Sequence, residues 1–315
     1  MCDYRIAIIG FGSIGSRHLL NIADVLNERQ LSFSVDLIRS TRGSELDSRF
    51  CSLVNEVYFS YENVPDDYDV VFITNPPHLH YDTIKAFASK TRHMFIEKPV
   101  FDNANITLQE LGLKKEGVYY VACPLRYTRI IQYIKSEIEP SSVFSVRVIC
   151  SSYLPEWRPG VDYRRTYSAD AKQGGGVSID LIHEWDYLKY LFGLPTTMFN
   201  LRGRFSNLEI SSDDLSVYIA EYDQMLVEVH LDYFGRKNIR EIQLFTETDT
   251  IVGDILTNEI RYLKSGKVIS FSDSRNAFQR REISYFFDIL EGKEENHNDI
   301  AGAMATLRLV EEGIV

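Results

Sequence analysis

Residues 5–22, RIAIIGFGSIGSRHLLNI, run an apolar segment straight into Gly10, Gly12 and Gly15 and then into helical spacing. No other feature restricts the possible folds so strongly. The pattern G-x-G-x-x-G, after a strand and before a helix, is the fingerprint of a dinucleotide-binding turn. In that reading Gly10 makes the turn, Gly12 lets the backbone approach a pyrophosphate, and Gly15 lets helix and strand pack closely. The helix start, with Ser13, Ile14 and Gly15, would present its amide groups to the phosphates. The same glycines also suit a tight strand-to-helix corner that binds nothing, so the context decides.

That context is a run of strands alternating with helices. Short apolar strands are expected at 33–38 (FSVDLI), 69–74 (DVVFIT), 93–97 (HMFIE) and 118–123 (VYYVAC), with helices over about 13–28 and in PPHLHYDTIKAFAS. Continuous apolar runs suit parallel strands covered on both faces. Strands and helices alternating over about 120 residues predict a doubly wound parallel sheet. After Cys123 the texture changes. FSVRVICSSY, LSVYIAEY, LVEVHLDYF and IREIQLFTE are longer and alternate. In the third of these, Val227, Val229, Leu231 and Tyr233 share one face, and Glu228, His230 and Asp232 the other. This is the period of an antiparallel sheet with one wet or interface-forming face. KSGK at 264–267 reads as a hairpin turn, and 276–291 and 298–313 as helices. GGGVSIDLIHEWDYLKYLFG reads as one helix ending at Gly193. The expected class is α/β. An N-terminal Rossmann domain with a doubly wound parallel sheet (1–122) would bind NAD(P). A C-terminal α+β domain with a largely antiparallel open sheet (123–315) would bind substrate and form oligomers.

A chain of 315 residues, 44% hydrophobic and 25% charged, has the composition of an ordinary soluble protein. No run approaches the roughly 20 apolar residues of a membrane helix. The first strand begins too early to leave room for a signal peptide. Cys2, Cys51, Cys123 and Cys150 are scattered, with no C-x-x-C pair. Neither a disulfide framework nor a zinc site is indicated, no metal site is expected, and the cytoplasm is the expected location. A net charge of −11 argues against nucleic-acid binding but leaves an anionic small substrate open.

In an NAD-binding fold an acid at the end of the second strand bonds the ribose, about 20 residues past the glycines. Here Arg39, Ser40, Thr41 and Arg42 occupy that place, and Asp36 falls inside the strand. Arginine and hydroxyl groups bind a 2′-phosphate that a carboxylate would repel. The expected cofactor is therefore NADP(H), with NAD(H) the alternative.

FIEKPV, with Glu97, Lys98 and Pro99 at a strand end, follows the glycine turn and the stretch ITNPPHLHYDT. Together these resemble the Gfo/Idh/MocA family, the family of glucose–fructose oxidoreductase and inositol dehydrogenase. CPLRYTRIIQYIK resembles the segment that opens the family's second domain, and GGGVSIDLIHEWDYLKYLFG its glycine-rich entry into the catalytic helix. The resemblance covers nearly the whole chain. It implies that Thr74, Asn75, His80, Glu97 and Lys98 line the cofactor site and that Arg126 meets substrate. It also makes Lys98, His183 and Asp180 the catalytic set. EWRPGVDYRRTYSA and VHLDYFGRK look most like members of surface-polysaccharide and nucleotide-sugar metabolism. One departure stands out. The family spaces its aspartate and histidine D-x-x-x-H, whereas Asp180 and His183 are three apart, which puts Asp180 in doubt and brings in Asp186 as a substitute.

Oxidation of an alcohol needs a group that takes the hydroxyl proton, and histidine has the pKa for it. His183 is the candidate base. Lys98 would contact the same oxygen and stabilise a developing alkoxide. Asp180 or Asp186 would hold the imidazole tautomer. No role is assigned to His18. The segment 157–172 concentrates Arg158, Arg164, Arg165 and Lys172 in an acidic chain, with Tyr163 and Tyr167 beside them. Arg158, Tyr163, Arg164 and Arg165, with Asp180 and His183, are the expected substrate contacts, and the arginines would grip a phosphate or carboxylate.

These readings converge on an NAD(P)-dependent oxidoreductase. It would move a hydride between nicotinamide and a carbinol or keto group of a sugar-like substrate, a nucleotide sugar among the candidates. Two alternatives stay open: a non-catalytic nucleotide-binding regulatory protein, and a reductase of a non-sugar substrate on the same fold. Homo-oligomers, dimers or tetramers, are expected through the C-terminal sheet.

Overall fold

The computed structural model describes residues 2–40 and 46–312, and the chain divides into two compact units. The first comprises Met1–Ala122 and Gln279–Met304, the second Cys123–Phe278 and Ala305–Val315. The chain changes units where its strand texture changes. A division into 1–122 and 123–315, however, does not include the return of 279–304 to the first unit.

The first unit contains β1 (Tyr4–Ile9), α1 (Ser13–Glu28), β2 (Phe33–Ile38), α2 (Ser48–Cys51), β3 (Glu56–Tyr58), β4 (Tyr68–Ile73), α3 (His80–Phe87), β5 (Thr91–Ile96) and β6 (Tyr119–Val121). The second holds α4 (Arg129–Glu137), β7 (Val143–Tyr153), α5 (Val177–Asp180), α6 (His183–Phe192), β8 (Thr197–Gly203), β9 (Leu215–Tyr222), β10 (Met225–Asp232), β11 (Phe234–Thr246), β12 (Thr250–Asp254), β13 (Glu259–Tyr262) and β14 (Val268–Ser270). Two helices close the chain, α7 (Ala277–Leu290) and α8 (Ile300–Glu312).

The six strands of the first unit are all parallel, in the order β3-β2-β1-β4-β5-β6. Ile6, Ile8, Val70, Phe72, Met94 and Phe95 are fully buried, as expected of strands covered on both faces. α7 explains the return of the chain. Its Phe286 ring packs against Phe72, Phe95 and Tyr120, with centroids 5.3–5.8 Å apart. Arg29, directly after α1, clamps the end of the same helix through Asp288 and, one residue past it, Glu291. At the carboxyl edge one row of backbone bonds links the strand ends. Gly10 N–H donates to Ile38 O, Thr74 N–H to Ile9 O, and Glu97 N–H to Ile73 O, each at 2.9 Å. In open α/β sheets this edge, where the strand order reverses, is where ligands bind.

The second unit holds an eight-stranded sheet, β14-β13-β12-β11-β7-β10-β9-β8. Its neighbours are antiparallel except β7 and β10, which run parallel. Val227, Val229, Leu231 and Tyr233 are fully buried, as their period requires. Asp232 departs from the pattern. It is buried, and its carboxylate accepts the backbone N–H groups of Phe234 and Gly235 at 3.0 and 2.7 Å. The helix expected across 177–192 is two helices. α5 ends at Asp180 and α6 begins at His183, with Leu181 outside helical geometry between them. Among the described residues no helix is long and apolar enough to cross a membrane, and no group of side chains is arranged to hold a metal ion.

Candidate active site

The glycine turn is built from three different constraints. Gly10 has φ +86°, and a Cβ there would lie 2.7 Å from Asn75 N. A Cβ on Gly15 would lie 2.3 Å from Gly10 O and 2.8 Å from Thr74 Oγ1. Thr74 fits into this corner by donating its hydroxyl to the Ile9 and Gly10 carbonyls. Protein geometry thus demands glycine at 10 and 15. Gly12 is different, because a Cβ there meets nothing within 4 Å and its φ of −88° is open to any residue. Beside the turn, Asn75 donates Nδ2 to Thr83, while its Oδ1 is buried without a partner among the described residues. The α1 N-terminus has no side-chain cap. A dinucleotide fits these features. Its pyrophosphate needs the open approach at Gly12 and the free amides of Ser13, Ile14 and Gly15, and the orphaned Asn75 acceptor can take a donor.

β2 ends at Ile38, so Arg39 and Ser40 stand where a ribose-binding acid would be. Asp36 is unavailable. It is buried inside the strand and accepts from Asn55 Nδ2 and Tyr68 Oη, both at 2.9 Å. Arg42 and Thr41 lie outside the described residues.

Two residues expected to touch the cofactor are engaged by the protein instead. His80 is fully buried, with Nδ1 against Val100 O at 3.0 Å and Nε2 against Asn75 O at 2.9 Å. Both ring nitrogens are used, so His80 braces Asn75 rather than reaching a ligand. Burial pushes its pKa below the usual histidine range. Glu97 is taken up likewise. Its Oε1 lies 2.5 Å from Nε2 of His18, and Oε2 accepts the Lys98 backbone N–H at 3.2 Å. Lys98 follows, half-buried, joined to Pro99 by a cis peptide bond.

In the second unit, Asp180 and His183 do not share a helix. Asp180 is buried, with Tyr167 donating to Oδ1 and Tyr233 to Oδ2. Burial, then the Asp180 charge, pushes both phenols well above the usual tyrosine range. Asp186 is not free to steady His183 either. Both its oxygens receive the Arg126 guanidinium, from Nε at 2.8 Å and Nη2 at 2.7 Å. Arg126, expected at the substrate, is buried in that pair and stacks beside Tyr190. His183, at the start of α6, is half-buried.

The basic segment is a chain of short 3-10 turns. Asp162 and Asp170 cap two of them, accepting the backbone N–H groups of Arg164 and Lys172. Arg164 is bound to Asp162 and Glu209, and the Tyr163 hydroxyl accepts the Glu209 N–H. Arg158 and Arg165 are exposed and make no ion pair among the described residues. Tyr167, expected with Tyr163 to stack on a sugar or a base, donates to Asp180 instead. Residues that sequence reasoning missed are His18 and Tyr233, whose carboxylate partners are 79 and 53 positions away.

A family model, an oxidoreductase family with an NAD-binding Rossmann fold (GFO_IDH_MocA), matches residues 4–119. An uncharacterized oxidoreductase of Bacillus subtilis, YrbE, is 29% identical over 199 residues, 62% of this chain and 56% of its own. The scyllo-inositol 2-dehydrogenase (NADP(+)) IolW of the same organism is 28% identical over 196 residues, 61% of this chain and 52% of its own. The chain thus aligns with little more than half the length of these relatives. A levoglucosan dehydrogenase in complex with NADH shares the fold, with a TM-score of 0.83, 17% identity, 99% of this chain and 95% of that one covered. Residues 4–119, which carry the glycine turn and the Glu-Lys-Pro strand end, thus match the Gfo/Idh/MocA oxidoreductase family model.

Proposed function

We propose that this chain is an NADP(H)-dependent oxidoreductase acting on a carbinol or keto group of a sugar-like substrate. One observation carries the reading. Lys98 stands on the same carboxyl edge as a glycine turn whose middle glycine answers no need of the protein itself. β1, β4 and β5 are adjacent, so the turn and the lysine are about 10 Å apart at the usual strand spacing. Gly10, Gly12, Ser13, Ile14, Gly15, Thr74 and Asn75 would seat the cofactor, whose nicotinamide exchanges a hydride when bound. Lys98 would hold the reacting oxygen, and His183 would take or return its proton. Asp180, fixed by two tyrosines, would shape the wall of the second unit's site rather than steer the imidazole.

Arg39 and Ser40 favour the 2′-phosphate of NADP(H), and the engagement of Asp36 by Asn55 and Tyr68 supports this. Because Arg164 is already paired with Asp162 and Glu209, a neutral sugar or polyol is the favoured substrate. A nucleotide sugar would depend on Arg158 or Arg165. Self-association would use the open sheet face, where Phe199, Leu201 and Ile219 are exposed on adjacent strands. Light scattering of the wild type and Phe199→Lys tests that point.

The reaction is tested by assaying NADP(H)-dependent turnover over a panel of polyols, anhydro-sugars, free sugars and nucleotide sugars. Lys98→Ala should lower turnover on the best substrate about 100-fold, with cofactor affinity within a few-fold of wild type. Tight NADP(H) binding with no turnover of any panel member would favour the regulatory alternative.

A further inference from the structure

We propose that two buried arginine–carboxylate pairs, Arg240–Glu184 and Arg126–Asp186, form a clamp on the first turn of α6 that sets the direction of His183. The proposal rests on the reading above, in which His183 moves the proton, and adds four positioning residues to it.

At about 3.6 residues per turn, successive side chains leave a helix about 100° apart, so four consecutive residues cover its four sides. In the first turn of α6 three of those sides are anchored. Glu184, Trp185 and Asp186 are buried, and His183 alone of the four is half-buried. Glu184 is completely enclosed and takes the Arg240 guanidinium on both oxygens, from Nε at 2.6 Å and Nη2 at 3.0 Å. Trp185 lies edge-on to Tyr218 of β9, with centroids 5.3 Å apart. Asp186 takes Arg126 on both oxygens in the same way. Arg126 also stands over the Tyr190 ring, 5.2 Å from its centroid and one turn further along the helix. The three grips come from β11, β9 and the segment between β6 and α4.

Arg240 is aimed by β11 itself. That strand falls out of register with β7 between Phe234 and Ile239, and pairing resumes with Ile239 against Ser151 and Arg240 against Cys150. An irregularity of this kind re-aims a side chain. Arg240 then shares the covered face with Ile242 and Leu244, which are fully buried.

Stability is a poor reason for such an arrangement. Ion pairs taken out of water gain little or nothing over apolar residues of the same size. What a bidentate pair supplies is geometry, because two parallel N–H···O bonds fix a plane whereas apolar side chains slide. Two such planes on different sides of one turn fix its rotation about the helix axis. An acid–base group misplaced by about 1 Å can lose about 100-fold in rate.

The test replaces one pair by apolar residues. Glu184→Leu with Arg240→Met leaves no buried charge without its partner, so the double variant should melt at or above the wild-type temperature. On the best substrate of the panel kcat should nevertheless fall about tenfold or more, with KM for substrate and NADP(H) within about twofold. The plateau of the kcat–pH profile should drop while its acid midpoint stays, because aim and not charge has changed. In a His183→Ala background the same two substitutions should cost less than about twofold, since no imidazole is left to aim. Arg240→Lys and Arg126→Lys keep each charge but lose the fork, and each should lower kcat several-fold at unchanged KM. Wild-type kcat in the folded double variant overturns the proposal, as does a loss of equal size in the His183→Ala background or a shifted midpoint at an unchanged plateau. If the double variant does not fold, wild-type kcat in both lysine variants overturns it instead.

A second readout needs no turnover. Diethyl pyrocarbonate labels histidine, and mass spectrometry compares His183 with exposed His78 and His297 in the cofactor-free protein. His183 should label several-fold faster in the double variant than in wild type, because an unclamped ring swings out more often. Unchanged labelling overturns the proposal. Faster labelling in a protein inactive on the whole panel leaves the clamp standing and removes the reading of the reaction.

Discussion

The chain contains two glycine-rich segments, and the difference between them lies at Gly12. In the first, Gly12 leaves open space and adopts a backbone any residue could take. In the second, 174–176, the protein fills the space itself. A Cβ on Gly175 would lie 1.9 Å from the Tyr167 carbonyl oxygen, and one on Gly176, at φ +143°, 2.3 Å from Asp213 Oδ1. Asp213 then holds the start of α5 by accepting from the Ser178 backbone and hydroxyl. A glycine the protein does not need is a candidate ligand contact. A glycine hemmed in by its own backbone is a packing device, even beside a candidate catalytic helix.

The contrast can be broken most forcefully at Gly175. Gly175→Ala should cost about 3 kcal/mol, the upper end for overpacking, because the atom it meets is backbone and cannot swing aside. Thermal or urea melts measure this, and a melt indistinguishable from wild type would remove the packing explanation. Gly12→Ala should do the reverse. Its melt in the absence of cofactor should stay within about 0.5 kcal/mol of wild type. Its NADP(H) affinity by calorimetry should fall about 100-fold, or about 2.7 kcal/mol. Loss of stability with intact affinity would make the two segments alike.

A smaller effect is expected at Arg39, which is not part of either glycine run but shares the edge with the first. Arg39→Ala should weaken NADP(H) about tenfold and leave NAD(H) unchanged, consistent with one charge-assisted contact of about 1.5 kcal/mol. Equal loss for both cofactors would assign Arg39 to the fold rather than to the 2′-phosphate. The smallest effect is a pH dependence. The Glu97 carboxyl sits below its usual range despite burial, through His18 and Lys98. Its contribution to stability is therefore complete above about pH 4.5, its unfolded value, and lost as pH falls through the lower folded value. The stability gap between wild type and Glu97→Gln should be constant near neutrality and close on acidification. A gap that widens on acidification would have the wrong sign.

Much of the first unit was legible because its determinants are local. Helix α1 occupies Ser13–Glu28, where its spacing placed it, and the strand periods located the buried faces. Short strands were legible only where an apolar run or a turn marked them: β6 was expected within 118–123 and the turn between β13 and β14 at 264–267, whereas β3, three residues long and not buried, was not read. The continuous helix expected over 177–192 failed for a related reason. Helical spacing persists across a break of two residues, and Leu181 and Ile182 carry no proline or glycine to mark it.

By itself, then, the sequence determined the glycine turn, the strand end with Lys98, the absence of an acid after β2 and the change of sheet type. Each depends on residues a few positions apart and on backbone geometry that neighbours dictate. Only the tertiary structure decided which partner each buried charge takes: Glu97 with His18, Asp180 with Tyr167 and Tyr233, Asp186 with Arg126. A charge removed from water must be met by whatever donor the fold brings within about 3 Å, and that choice is made between distant segments that no local pattern encodes.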